Sequence, residues 1–188
     1  MILENSFGKE MMMAKIQCMA KVTEVSVLAE GIVSMWLSAS GVAKSAKPGQ
    51  FISLYCDNSD TLLPRPISLC EVNQKDGLLR IVFRIVGAGT KEFAAKKKDD
   101  EIRILGPLGN GFPLDACEKD KTAVLIGGGI GIPPLLELAK QLPCKTTVVV
   151  GYRNADAFLW EELEEAADRV VIASDDGSIG IKGTVLDA

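Results

Sequence analysis

Apolar and β-branched runs recur at short intervals through the first two thirds of the chain: Ile16–Leu28, Ile32–Leu37, Gln50–Tyr55, Ile67–Val72, Leu78–Val86 and Glu101–Leu105. Turn residues separate several of them, at Pro48-Gly49, Asp57-Asn58-Ser59-Asp60 and Asp76-Gly77. Short strands at this spacing predict a small antiparallel barrel or sandwich over residues 15–118, behind a tail formed by residues 1–14. One short helix is expected near Thr90–Lys97, and the charge run Lys96–Asp100 reads as its solvated end.

The pattern changes after residue 118. Thr122–Ile126 reads as a buried strand and Pro134–Leu142 as a helix with Leu135, Leu138, Ala139 and Leu142 on one face. Pro143 separates that helix from a strand at Thr146–Gly151. A helix with an acidic face follows within Ala155–Ala167, then a strand at Arg169–Ser174. Strands and helices in alternation predict a parallel α/β sheet over residues 119–188, with the boundary near Cys117–Lys121. The expected fold class is therefore β plus α/β: an antiparallel barrel followed by a partial parallel α/β domain. At about 70 residues, the second part is too short for a full doubly wound dinucleotide domain.

Composition narrows the function more than the fold. The 188 residues are 47% hydrophobic, enough for one large or two small domains. The net charge of -4 comes with no basic stripe for nucleic acid, and no apolar run is long enough to span a bilayer. The start, MILENSFGKEMMMAK, does not read as a secretory signal, because Glu4, Lys9 and Glu10 interrupt any apolar core. A cytoplasmic protein is expected. Cysteines stand at 18, 56, 70, 117 and 144, an odd count with no C-x-x-C spacing. They are expected to be reduced, mostly buried thiols, with no metal site among them. The chain has no histidine, which excludes a Ser-His-Asp triad, a His-ligated metal and a His general base. Hydride transfer between a nicotinamide and a flavin needs none of these, because the cofactors carry the chemistry and the protein orients them.

Three motifs point toward such cofactors. LIGGGIGIPPLLELAKQL at Leu125–Leu142 is an apolar strand, a glycine turn and a proline-started helix. Tight turns beside a helix N-terminus bring backbone N–H groups close to an anion, usually a phosphate. The strict G-x-G-x-x-G fingerprint is not met, because Ile132 stands where the third glycine would be. Arg65-Pro66-Ile67-Ser68 lies where a turn feeds a strand. Its Arg is either a surface charge or a planar fork for a diphosphate, and the Ser hydroxyl can hydrogen-bond a flavin ring nitrogen. Val82-Phe83-Arg84 and Val86-Gly87-Ala88-Gly89-Thr90 are either an ordinary strand-to-helix turn or a set of N–H groups and a hydroxyl for a phosphate.

Taken together, these segments resemble the ferredoxin-NADP reductase superfamily, a flavin barrel followed by a nicotinamide-binding α/β domain. Arg-Pro-Ile-Ser with GPLGNGFPL at Gly106–Leu114 and GGGIGIPP is similar to one branch, the electron transfer subunits of class 1B dihydroorotate dehydrogenase. The resemblance implies that FAD is held by Arg65, Pro66, Ile67, Ser68, Val82, Phe83, Arg84, Gly89 and Thr90, with Ser68 as the catalytic candidate. Ile67 departs from the usual R-x-Y-[ST] motif, whose aromatic residue stacks on the isoalloxazine. Gly127, Gly128, Gly129 and Gly131 would face NADH, and Asp175 would meet the adenosine ribose. Arg153 is the counter-indication, a cation able to meet a 2′-phosphate.

The resemblance further implies transfer of hydride from NADH to FAD. Electrons then pass through a 2Fe-2S cluster to an FMN-containing catalytic partner subunit that oxidises dihydroorotate in pyrimidine biosynthesis. In the family, the cluster sits in a cysteine-rich segment past the equivalent of Ala188. This chain is expected to stop short of it and to carry no cluster. Two other readings compete: a stand-alone NAD(P)H:acceptor flavin reductase, and a flavin-binding assembly subunit without turnover.

Overall fold

The computed structural model describes residues 15–57 and 62–188. The expected tail 1–14 and the turn positions Asn58, Ser59 and Asp60 lie outside the described residues.

Six strands close an antiparallel barrel: β1 (Ile16–Ala29), β2 (Ile32–Ser38), β3 (Phe51–Leu54), β4 (Arg65–Asn73), β5 (Leu78–Arg84) and β6 (Glu101–Leu108). Their spatial order is β1-β2-β5-β4-β3-β6. Alternate side chains fill the interior, among them Met35, Leu37, Ile52, Leu69, Ile81 and Ile104, each without solvent exposure. Two short helices flank the strands, α1 (Ser40–Ala43) and α2 (Ala88–Ala94). Phe93 of α2 meets Phe83 of β5 edge-on, with ring centroids 6.5 Å apart. The helix starts two residues earlier than the sequence suggests. Thr90 sits at its third position and receives the Gly87 N–H, which lets the turn begin at Gly87.

The second unit has β7 (Thr122–Gly128), α3 (Pro133–Gln141), β8 (Lys145–Tyr152), α4 (Trp160–Ala166), β9 (Arg169–Ser174) and β10 (Ile181–Lys182). Its strands are parallel, in the order β10-β9-β8-β7. The fold class is as expected: a barrel followed by a parallel sheet with helices. Neither α1 nor β10 was anticipated, because four and two residues are too few to show a period. Among the described residues, no helix is long and apolar enough to cross a membrane.

The expectation for the cysteines needs correction. Cys117 and Cys144 form a disulfide, with Cα atoms 6.1 Å apart. Cys117 lies on the linker entering β7 and Cys144 immediately before β8. These strands run side by side from Thr122 opposite Lys145, so their approaches meet. Sequence spacing carries no signal for that proximity. Of the other three, only Cys70 is fully buried, and burial pushes its thiol up to about 12.

The two units share a core. Ile32, Cys70 and Val82 of the barrel pack in one cluster with Ile132, Leu135 and Leu136 of the α3 segment. Charged groups border this seam. Arg80 of β5, 7% exposed, donates to Glu71 of β4 (2.6 Å) and to Glu162 of α4, and Lys140 of α3 donates to the other Glu71 oxygen. Glu137, also buried, accepts the Val72 N–H of β4 at 2.8 Å.

Burial pushes the Glu71 carboxyl up, but the hydrogen bonds from Lys140 and Arg80 outweigh it and hold the group below its usual range. A carboxylate so depressed stabilises the fold above its ordinary value of 4.5, and that contribution is lost as pH falls below it. Glu71→Gln should therefore cost about 1.5–3 kcal/mol at pH 7. The gap to wild type should begin to narrow as pH falls through 4.5 and keep narrowing below it, as Glu71 protonates in the folded state. Urea midpoints at those pH values check this; a gap that stays constant would contradict it.

Candidate functional site

Strands β4 and β5 pair only from Leu69 opposite Ile81 to Asn73 opposite Leu78. Upstream of Leu69, β4 stays with β3, where Phe51 opposes Ser68 and Leu54 opposes Arg65. Beyond Ile81, β5 stays with β2, where Ile32 opposes Arg84. The two strands therefore splay, and their facing edges lack the ladder bonds a closed barrel would make. A cavity of about 350 Å³ occupies the split. Arg65, Pro66, Ile67 and Ser68 line one side and Val82, Phe83 and Arg84 the other. Val86 and Thr90 contribute from the approach to α2, and Ile130 and Pro133 from the glycine turn. Unpaired backbone edges flanking a mostly apolar slot suit a planar heterocycle with a polar rim.

Within this slot the side chains divide by strand alternation. Pro66 and Ser68 are exposed, whereas Ile67 is half-buried against the barrel core. No described residue hydrogen-bonds the Ser68 hydroxyl. Arg65 donates from Nη1 to the Leu63 carbonyl at 2.6 Å. A methyl group at Gly89 would lie 3.0 Å from Arg65 Nε and 3.0 Å from Cys56 Sγ, so Arg65 reaches across the start of α2 only because Gly89 is bare. Thr90 plays a different part from the one its sequence suggests. Its hydroxyl accepts the N–H groups of Val86 (2.9 Å) and Gly87 (3.1 Å) and donates to the Gly87 carbonyl, which uses its full capacity on the turn.

A second, larger cavity of about 810 Å³ lies at the carboxyl ends of the parallel strands, where α/β sheets bind ligands. Gly128 lines it at the end of β7 and Gly129 just beyond, Gly151 to Asn154 at and after the end of β8, and Asp175 beyond β9. Glu30, Gly31 and Ile32 close it from the barrel. Arg84 and Ile130 line both cavities, so the two spaces share a wall. The carboxylates after β9 have separate duties. Asp176 accepts both the N–H and the hydroxyl of Ser178, which holds it below the usual carboxylate range, while Asp175 faces the crevice. Arg153 lines the same crevice.

The glycine turn departs from the expected phosphate cradle. Gly129–Gly131 is a single 3-10 turn, and the Ile132 N–H returns to the Gly129 carbonyl. Pro133 and Pro134 have no N–H, and Leu135 donates to Ile132. The start of α3 thus has few free donors for an anion. Gly127 and Gly131 are not among the crevice residues. What the turn supplies is close backbone approach at Gly128, Gly129 and Ile130.

GPLGNGFP lines neither cavity. It folds over the Pro48-Gly49 turn, where Gln50 donates to the Gly109 carbonyl at 2.7 Å and Phe112 N–H donates to Pro48. Sequence reasoning missed Glu30, Gly151, Asn154 and Ile130. A small residue closing a predicted strand, in VVVGYRN, is the signal for Gly151 and Asn154; Ile130 sits inside the glycine turn, and Glu30 carries no signal. Among the described residues, no three His, Cys, Asp or Glu side chains converge as a metal site.

No protein-family model matches the chain. Curated relatives do. The dihydroorotate dehydrogenase B (NAD(+)) electron transfer subunit of Geobacillus kaustophilus (strain HTA426) is 43% identical over 165 residues, covering 86% of this chain and 64% of the relative. The subunit of the same description from Listeria monocytogenes serotype 4b (strain F2365) is 39% identical over 175 residues, covering 92% and 68%. The chain spans about 64% of the length of the first of these. Among solved structures, the NADH-dependent reduced ferredoxin-NADP oxidoreductase superposes with a TM-score of 0.78 at 30% identity, covering 90% of this chain and 61% of that one. A ferredoxin NADP+ reductase from Neisseria gonorrhoeae with bound FAD and NADP, at 18% identity and a TM-score of 0.72, shares the fold.

The turn geometry yields a contrast between two glycines. A methyl at Gly127 would lie 2.7 Å from Leu135 Cδ1 and 3.3 Å from the Gly131 carbonyl, whereas one at Gly131 meets nothing within 4 Å. Gly127→Ala should lower stability by about 1–3 kcal/mol through overpacking. Gly131→Ala should stay within about 0.5 kcal/mol of wild type. Denaturant midpoints at unchanged m decide; equal effects would contradict the packing role of Gly127.

Proposed function

The chain belongs to the family of dihydroorotate dehydrogenase B electron transfer subunits, and on that premise we propose that it binds FAD in the split between β4 and β5 and NADH in the adjoining crevice. The observation that carries this reading is the shared wall: a mostly apolar slot and a larger crevice of about 810 Å³ meet at Arg84 and Ile130. The slot fits a flavin because β4 and β5 stop pairing there and Gly89 leaves room beside Arg65. FAD supplies the hydride-accepting chemistry when bound, and the protein supplies orientation and exclusion of water.

In this reading, Arg65 meets the FAD diphosphate at the bare Gly89 turn, with a charge-assisted contact. Backbone groups of Pro66, Ile67, Val82 and Phe83 hold the polar rim of the ring. Ser68, with its exposed hydroxyl, donates to the ring edge and is the catalytic candidate. Thr90 keeps the turn in shape rather than binding phosphate itself. Gly128 and Gly129 let the nicotinamide end approach, and Asp175 accepts from the adenosine ribose. The electrons go on to an FMN-containing dihydroorotate dehydrogenase subunit, in the cytoplasm. A 2Fe-2S cluster needs four ligands within a few ångström, and the described cysteines do not fit one: two are bonded to each other and the rest are dispersed.

The protein as purified should show a flavin visible spectrum after incubation with FAD. Replacing Arg65 by Ala should weaken FAD by about 1.5–3 kcal/mol, roughly 10- to 150-fold in Kd. Fluorescence titration measures it, and an unchanged Kd would remove Arg65 from the site.

Asp175 beside the crevice accepts a ribose 2′-OH and repels a 2′-phosphate, so NADH should reduce the flavin faster than NADPH. Asp175→Asn should narrow the difference, measured by anaerobic stopped-flow. Equal wild-type rates with the two nucleotides would show that Arg153 outweighs Asp175.

A further inference from the structure

The two cofactor spaces belong to different units of the fold, so their alignment depends on how the units are held together. The apolar part of the seam is non-directional and would tolerate sliding of α3 along β4. The polar part is directional. Glu137, Lys140 and Gln141 fall on one face of α3 at i, i+3 and i+4. Glu137 accepts the Val72 N–H at 2.8 Å, and Gln141 donates to the second Glu137 oxygen. Lys140 grips Glu71, one residue before Val72 on β4. Arg80 then ties both β4 and α4 to β5. It donates from Nη1 to Glu71 at 2.6 Å, from Nη2 to Glu162 at 3.1 Å, and from Nε to Ser34 at 2.9 Å. Trp36 lies under its guanidinium, 5.9 Å from the ring centre.

Each anchor is close in sequence to a cavity wall. Glu71 is three residues beyond Ser68 on β4, and Arg80 two residues before Val82 on β5. Glu137 is four residues into the helix that begins at Pro133. In rise along the elements, these separations are on the order of 10, 7 and 6 Å. A shift of α3 by one step therefore moves Ile130 and Pro133 directly against the slot. At the centre of this cluster Arg80 is buried and Glu71 nearly so, with Glu162 and Lys140 reaching in from partly exposed positions. A buried ion pair is an expensive way to hold a seam that already has an apolar core, since it adds little net stability over packed apolar residues.

We propose that the Arg80–Glu71–Glu162–Lys140 cluster, with Glu137 on Val72, is a positioning device that fixes the α/β unit on the barrel at the separation hydride transfer requires. The proposal rests on the assignment of FAD and NADH to the two cavities. Arg80 and Glu137 touch neither cavity and act through β4, β5 and α3. Misplacement of reacting atoms by 1 Å can cost on the order of 100-fold in rate.

The test replaces the cluster with apolar groups of similar size, Glu71→Leu, Arg80→Met and Glu162→Leu together, alongside Glu137→Ala and the conservative Glu137→Gln. Residual dipolar couplings of the isotope-labelled protein report the relative order of the two units without any cofactor. In wild type and Glu137→Gln, one alignment tensor should fit both units. In the triple variant and Glu137→Ala, the α/β couplings should shrink relative to those of the barrel by a third or more. Anaerobic stopped-flow should show at least a tenfold slower flavin reduction by NADH, with FAD Kd within twofold of wild type. A single shared tensor in the triple variant, or an unchanged reduction rate, overturns the proposal. Failure of wild type to bind FAD would refute the functional assignment instead, and with it the hydride-transfer role of the cluster, while the couplings would still report whether the cluster holds the units in register.

Discussion

The seating of α3 on β4 is the contact on which the rest of the molecule depends. It extends one apolar core from the barrel into the α/β unit, where Ile32, Cys70 and Val82 meet Ile132, Leu135 and Leu136. Without it, the barrel would expose that side of β4, and the nine-residue α3 would have no second surface for its apolar stripe. Helices of this length draw their stability from packing rather than propensity. The glycine turn inherits its place from the same contact, since it leads straight into α3. The site is thus a product of packing at a distance from it.

Two departures from regular structure then open the two cavities. One is the splay of β4 from β5, which leaves backbone groups without partners inside an otherwise closed barrel. The other is a parallel sheet with small residues at its crevice end, Gly128 closing β7 and Gly151 next to last in β8. A methyl at Gly151 would lie 2.6 Å from Val185 Cγ1, so the chain beyond β10 folds over that end as closely as it does only because the residue is glycine. Regular structure fixes the walls, and its interruptions make the openings.

The parts of this arrangement written in local pattern were legible in the sequence. Apolar and β-branched runs between turn residues marked the barrel strands, and strands and helices in alternation marked the α/β unit. The segments Arg65–Ser68 and Val82–Arg84 were picked out separately, and the fold brings them to opposite sides of one cavity. What could not be read depends on contacts between distant segments. Glu137 looks like any polar residue on a helix until β4 offers it a backbone N–H. Gln50 looks like the start of a strand and is a pin for the Gly109 loop. Thr90 had the right residue type for a phosphate contact, but its hydroxyl is consumed three residues away by its own turn. Cys117 and Cys144 are 27 residues apart in sequence, and parallel strand pairing alone makes them neighbours.

Strand β7 has β8 on one side and, among the described residues, no strand on the other. Its outward-facing Val124 and Ile126 are 60% and 53% exposed, on the face opposite the buried Leu125. Parallel sheets are ordinarily covered on both faces, and a bare apolar edge is a template for any extended chain that meets it. A second extended chain would find its most direct pairing edge at the seven residues Thr122–Gly128. Their side chains carry no charge to keep a second molecule away.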